Sequence, residues 1–353
     1  MAGAAAIADE HDVRSSFLSQ AQACHRLGSP FTALLCEAMA ERLDRGCGFG
    51  RRVLDWPGDP RSDALALRCA GAFNALARSG RAPALTTLYP PAEPSTDALW
   101  SGILTAIAKH DAFLTAYLDS APQTNEVKRC AVLLGGALMV TSETGLPLDV
   151  IEIGASAGLN LGFDGYRYEL GGAVWGASTA PVTIRSEWRG TLPPLDAPLA
   201  VATRRACDLN PLDPGNPEHR DRVMSYIWPD QSERIATTQA AFDAAARQPW
   251  RVEQAGAAEW AEARLATPQE HGRTRLLMHT IMWQYLPEAT KRRIEQAMAT
   301  AAATATKEAP LAWLRMEADG QSGSAAVTLT IWPDGGEREI ARADFHGRWV
   351  EWR

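Results

Sequence analysis

Residues 154–158 read Gly-Ala-Ser-Ala-Gly, and two kinds of chemistry use that spacing. As G-x-S-x-G it is the sharp turn that lifts a nucleophilic serine above a sheet, with Ser156 attacking an acyl carbon. Read from Glu152 it is E-x-G-x-x-x-G after an apolar strand, a loop whose glycines let backbone approach a nucleotide-type ligand. A serine elbow follows several strands and an oxyanion loop. The chain before Ser156 instead reads as helical and contains no H-G-G-G-type loop. A triad of Ser156, Asp230 or Asp334, and His346 needs free choice among candidates, and it leaves Glu152 unexplained. An acid inside the strand, two residues before the first glycine, suits a ligand without phosphate, such as a sulfonium nucleoside. A helix expected to begin near Ser156 would turn free N–H groups toward it. The ligand-loop reading leads, and a serine hydrolase using Ser156 is the minor alternative.

The elements that position this loop change character at Leu148. Up to about residue 145 the pattern is helical. "FTALLCEAMAERLDR", "SDALALRCAGAFNALARSG" and "STDALWSGILTAIAKHDAFLTAYLDS" repeat apolar residues at three- and four-residue intervals. Ser29 and Pro30 suit the N-cap and first position of one helix, "RAPALTTLYPPAEP" is a Pro-rich connector, and a last helix is expected over 124–143. "LDVIEIG" then reads as a strand buried on both faces. "LAVATRRACD", "RVEQAGA", "RLLMHTI" and "LAWLRME" follow as strands, alternating with helices in the manner of a parallel α/β sheet. Asp334-Gly335-Gly336 marks a C-terminal β-hairpin, and a second hairpin is expected to join "YRYEL" to "VTIRSEWRG".

Composition narrows the partners. The 353 residues are 46% hydrophobic and 22% charged with a formal charge of −7, which fits a soluble protein and disfavours nucleic acid or an acidic membrane surface. A small-molecule substrate is the default. The six cysteines are scattered, so reduced buried thiols are expected rather than a disulfide frame or a metal site. The start, "MAGAAAIADEHDVR", has no signal-peptide pattern, and "CAVLLGGALMV" is too short to span a bilayer, so a cytoplasmic location is expected. Oligomeric state is not readable.

"VIEIGASAGLNL" resembles the first motif of class I S-adenosylmethionine-dependent methyltransferases. The chain as a whole resembles a bacterial family, domain-of-unknown-function family 2332, through "GSPFTALL", "GRAPALTTLYP", "QTNEVKR", "CDLNPLDP", "WPDQSER", "HTIMWQYLP" and "DFHGRWVEW". The resemblance implies a Rossmann-like methyltransferase sheet with a C-terminal antiparallel hairpin over 146–353, a hairpin insertion near 165–190, and an all-helical N-terminal domain or cap over 1–145. It implies S-adenosylmethionine as cofactor, its amino-acid end oriented by Glu152, its loop formed by Gly154, Ser156 and Gly158, and its ribose bonded by Asp208. Asp208 capping the Asn210-Pro211 turn is an equal alternative.

After the fourth strand, where the superfamily presents its methyl group, His279 is a general-base candidate and Tyr285 joins it as a catalytic candidate. Trp283 and Tyr285 are the aromatic walls. Packing of all three is the competing reading. Asn125, Glu126 and Arg129 are substrate-site candidates, although Thr124 or Asn125 also suits a helix N-cap. Asp344, His346 and Arg348 read as a turn contact. One departure stands out: Gly256-Ala257-Ala258 lacks the acid the pattern places there for adenine N6, with Glu259 as a shifted substitute. Methyl transfer to a small molecule is the leading expectation. A non-catalytic ligand-binding scaffold or sensor with a degenerate fold is the alternative.

Overall fold

A computed structural model describes residues 8–321 and 323–353. Residues 1–7 of the opening stretch on which the leader reading rested lie outside that range. The chain divides into two compact units, Met1–Thr124 with Asp221–Ala236, and Asn125–Arg220 with Thr237–Arg353.

The first unit is helical, with α1 (Glu10–Arg26), α2 (Pro30–Arg42), α3 (Gly48–Leu54), α4 (Leu65–Arg78), α5 (Pro83–Thr86) and α6 (Thr96–Tyr117). α6 kinks at His110, whose φ of −134° leaves the helical range. The apolar stripes read from the sequence meet in one core that includes Phe17, Phe49, Phe73, Leu76 and Leu99. Each such side chain contributes about 1.5–3 kcal/mol on burial. Pro30 opens α2 as expected, but Ser29 does not supply the cap. Its hydroxyl donates to Asp230, and the Asp230 carboxylate accepts the free Phe31 N–H at 2.9 Å from 199 residues away. The segment 221–236 is fastened in the same way by Asn74, whose amide donates to the carbonyls of Ser225 and Ile227. Gly71 leaves room for the Tyr226 ring, which a Cβ there would meet at 2.4 Å.

The second unit holds α7 (Cys130–Thr144), β1 (Leu148–Ile153), β2 (Arg167–Leu170), β3 (Ala173–Trp175), β4 (Thr183–Gly190) and β5 (Val201–Asp208). After α8 (Pro217–Ser225) and α9 (Ser232–Ala246), which carry the chain out to the helical segment and back, come β6 (Val252–Gln254), α10 (Ala257–Ala266), β7 (Thr274–Thr280) and α11 (Glu288–Ala302). β8 (Leu311–Glu317), β9 (Ala325–Trp332), β10 (Arg338–Ala343) and β11 (Trp349–Trp352) complete it. All these strands form one 11-stranded mixed sheet in the order β3-β2-β4-β11-β10-β9-β8-β7-β1-β5-β6.

β6, β5, β1, β7 and β8 are mutually parallel. From β1 the chain builds outward to β5 and β6 on one side, and to β7 and β8 on the other. The direction of winding therefore reverses between β1 and β7, and at such a point the carboxyl ends of the strands open a crevice. β9 and β10 form the expected antiparallel hairpin, turning through Gly335 and Gly336 at positive φ. α7, the apolar "CAVLLGGALMV" stretch, lies against the sheet through its paired glycines: a Cβ on Gly135 would meet Trp352 at 2.6 Å, and one on Gly136 would meet Leu314 at 2.5 Å.

Three expectations are corrected. "YRYEL" forms its hairpin with Ala173–Trp175, across Gly171 and Gly172 at positive φ, and pairs with β4 in parallel. The helix expected over 124–143 starts at Cys130 after one 3-10 turn, Val127–Arg129. No α-helix begins near Ser156: Leu159–Gly165 is one continuous 3-10 run, and its Gly162 and Gly165 are poor α-helix formers.

Candidate functional site

The carboxyl end of β1 carries the loop on which the sequence reading turned. Glu152 points from the strand into the interior and is 2% exposed. Burial, reinforced by the charge of Asp208, pushes its carboxyl up to about 8, while a hydrogen bond from Asn160 and the charge of Arg129 work the other way. Its Oε2 has no hydrogen-bond partner in the protein.

The loop is held open from both sides. Gly154, Ser156 and Gly158 all take the left-handed backbone, with φ of 70°, 55° and 69°. For Ser156, which has a Cβ, that conformation costs about 1–2 kcal/mol. Two hydrogen bonds fix it: the Ser156 N–H donates to Asp208 Oδ2 at 2.8 Å, and its carbonyl accepts from Leu212 N at 3.1 Å. Ser156 is 5% exposed, and its buried hydroxyl has no partner. No histidine nitrogen stands within reach of it, so the elbow geometry of the backbone is not matched by a base. A Cβ on Gly154 would meet Met282 at 3.0 Å, and one on Gly158 would meet Val252 at 2.9 Å, so the loop is pressed between the turn after β7 and the start of β6.

Asp208 ends β5 and performs the capping role, with Oδ1 accepting Asn210 N at 2.9 Å while Oδ2 holds Ser156. Each oxygen keeps a lone pair with which to accept from a ligand donor. Asn125 caps not its own helix but the 3-10 turn after the loop, its Oδ1 accepting Leu159 N at 3.0 Å. Glu126 is 3% exposed and accepts Lys128 N. Arg129 bridges the end of β7 and the turn between β10 and β11, donating to Thr280 O at 3.4 Å and Phe345 O at 2.8 Å. Asn125 is thus tied to the end of the Glu152 loop, and the Arg129 charge acts on Glu152 itself. Asp344 forms the expected turn contact, accepting His346 N and Arg348 N and pairing with the Arg348 guanidinium.

A scan against family models matches residues 14–352 to "Uncharacterized protein conserved in bacteria (DUF2332)". The chain belongs to the DUF2332 family. No curated protein and no solved structure matches it.

In this DUF2332 chain both ring nitrogens of His279 are engaged. Nδ1 lies 2.7 Å from Glu317 Oε1, and the Trp313 indole N–H donates to Nε2 at 3.1 Å. The indole donor fixes the tautomer: the proton is on Nδ1, and the Nε2 lone pair, which a general base would use, is occupied. The ring is fully buried and stacks on Trp283, centroids 5.1 Å apart. Packing therefore describes His279, and its action as a base has no free atom to work through. Tyr285 is 75% exposed.

The residue that sequence reasoning missed is Glu317, the last of β8. Besides His279 it accepts the N–H groups of Met282 and Trp283, and so shapes the turn that leans on Gly154. Ile281, at φ 50°, begins that turn. The available signal was an acid closing a strand expected to run parallel to the His279 strand. Asn160, the polar neighbour of Glu152, carried no signal because it follows an expected helix start. Glu259 is not the shifted acid: it is exposed and ion-paired with Arg293 at 2.5 Å. Among the described residues no group of three or more His, Cys, Asp or Glu side chains is placed to hold a metal ion. Among the described residues no helix is long and apolar enough to cross a membrane.

Proposed function

We propose that the second unit holds S-adenosylmethionine where its winding reverses, and passes the methyl group to a small-molecule acceptor. The observation that carries this reading is the pair of buried polar atoms without protein partners, Glu152 Oε2 and Ser156 Oγ, on the two sides of Gly154. An orphaned buried donor or acceptor costs about 1–3 kcal/mol, which a polar ligand at that spot restores. The strand order β6-β5-β1-β7-β8 corresponds to the 3-2-1-4-5 order of a Rossmann-like sheet, which supports the same placement. The missing helix after the loop removes the dipole that a phosphate would want, so a ligand with a positive or neutral head fits better.

The residues present fit that cofactor at one end and not at the other. Glu152 would take the amino-acid end, Gly154, Ser156 and Gly158 would lie along it, and Asp208 would receive ribose hydroxyls. With Ala257 in place of an acid and Glu259 paired elsewhere, the loop after β6 gives adenine N6 no carboxylate. The bound group supplies an electrophilic methyl on a positive sulfur. The protein's part is alignment and exclusion of water, with Trp283 as an aromatic wall. Since His279 has no free nitrogen, the fitting acceptor is one that attacks without an enzymic base: a carboxylate, a thiolate or a neutral amine.

Calorimetric titration with S-adenosylmethionine and S-adenosylhomocysteine tests the reading. Micromolar binding that Glu152→Ala abolishes, with the circular dichroism unchanged, is the expected result. Absence of binding to well-folded protein overturns it. The occupied imidazole and the absent third-strand acid favour one second reading, a ligand-binding scaffold without chemistry. Binding without formation of S-adenosylhomocysteine on incubation with carboxylate, thiol and amine acceptors would select it.

A further inference from the structure

Three stretches far apart in sequence converge on one concave surface within the helical unit, which the methyltransferase reading leaves unused. The start of α2 contributes Phe31 and Leu34, the connector before α6 contributes Pro90, Pro91 and Pro94, and the turn before α9 contributes Pro229. They wall a cleft of about 720 Å³, within the roughly 300–1,000 Å³ typical of small-molecule sites. The proline rings have fixed backbone torsions and no rotamers to collapse into the space. The Phe31 ring is braced against Tyr89, their centroids 4.6 Å apart. The walls are therefore preformed.

The charge in the cleft has one sign. Glu93 and Asp230 are its charged lining residues, and no Lys or Arg lines it. Glu93 is exposed and makes no hydrogen bond or ion pair among the described residues. Asp230 caps α2 and holds Ser29, each oxygen accepting one bond and keeping a lone pair. A second cleft, of about 450 Å³ between α10 and α11, makes the contrast: its charged lining residues, Glu262 and Arg293, pair with each other at 2.6 Å and leave nothing for a ligand to neutralise.

We propose that the cleft of the helical unit binds a small apolar molecule bearing an ammonium group. Its body lies against the prolines and Phe31, and its cation is answered by Glu93 and Asp230. A neutral or anionic molecule of equal shape leaves Glu93 without a partner and Asp230 with only its bonds at the start of α2. The proposal does not rest on the cofactor reading.

The test uses the full chain and four probes of similar shape: phenethylamine and benzyltrimethylammonium against benzyl alcohol and phenylacetate, titrated by calorimetry at neutral pH. The expected result is binding of the two cations only. Glu93→Gln, a surface change that leaves the urea midpoint in place, should weaken it about five- to tenfold, the scale of one charge contact. Leu34→Trp should fill the cleft and abolish it. Equal binding of all four probes, binding of none, or cation binding unchanged in Glu93→Gln overturns the proposal. So does loss of cation binding in Glu152→Ala, which would assign the signal to the sheet unit. A tetralysine peptide that binds where the small cations do not would replace the proposal with a protein-docking surface.

Discussion

A carboxyl buried with one oxygen unanswered, as Glu152 is, holds its proton well into the neutral range. The unfolded chain releases that proton near 4.5 and the folded protein near 8. Between those values the folded state binds more protons than the unfolded one, so stability is full below about 4.5 and falls as the pH climbs through about 8. The slope is about 1.4 kcal/mol per pH unit for one proton. Glu152→Gln keeps the shape and removes the titration. Its urea midpoint should gain on the parent protein steadily from pH 5 to pH 8, and a constant gap would show that Glu152 is already ionised. The same proton also bears on ligand choice: a cation meeting Glu152 at neutral pH must displace it, so its affinity should rise with pH up to about 8.

At the scale of elements, the turn after β7 depends on an acid from the next strand. Glu317→Ala leaves the N–H groups of Met282 and Trp283 and the His279 Nδ1 proton without their acceptor. A loss of about 2–4 kcal/mol is expected in urea unfolding, since bonds to a charged acceptor are each worth about 1.5–3 kcal/mol and part of the turn regains water. A change below 0.5 kcal/mol would mean that Ile281 and its neighbours set the turn alone, roughly the scatter of ordinary surface substitutions. This dependence explains what the sequence could show and what it could not. Strands β1, β7 and β8 were legible because continuous apolar runs state their own burial, and Asp334-Gly335-Gly336 announced its hairpin. The helix expected to begin near Ser156 is absent because its place is filled by a 3-10 turn whose cap, Asn125, comes from 34 residues earlier. A longer separation, 199 residues, hid the true acceptor at α2, which is Asp230 rather than Ser29. Side chains that act across such separations leave no local pattern. For that reason Glu152, Gly154 and Asp208 were found together from their own motifs, whereas Glu317 and Asn160 were not.

Across the whole sheet unit, chain order and sheet order diverge most at the C-terminus. β11, only four residues long, lies in the interior of the sheet, antiparallel to β10 on one side and parallel to β4 on the other. The insertion that leaves the site after Leu159–Gly165 reaches the rest of the sheet only through that strand, because β2 and β3 lie beyond β4. Trp352 adds a second tie. It stacks on Trp188 of β4, centroids 5.3 Å apart, and fills the space above Gly135 that a Cβ would occupy. Removing residues 349–353 therefore strips two ladders at once, exposes the facing edges of β10 and β4, and opens a void beneath α7. Buried strand edges without partners are both unstable and sticky. The truncated chain should aggregate or lose its cooperative urea transition, while Trp352→Phe, which keeps the strand and most of the ring, should retain the transition with a loss of about 1–2 kcal/mol. A shortened chain that unfolds cooperatively and keeps the parent's circular dichroism would mean that β4 can close on β10 directly, and that the order of the sheet is set by the central parallel strands rather than by its last one.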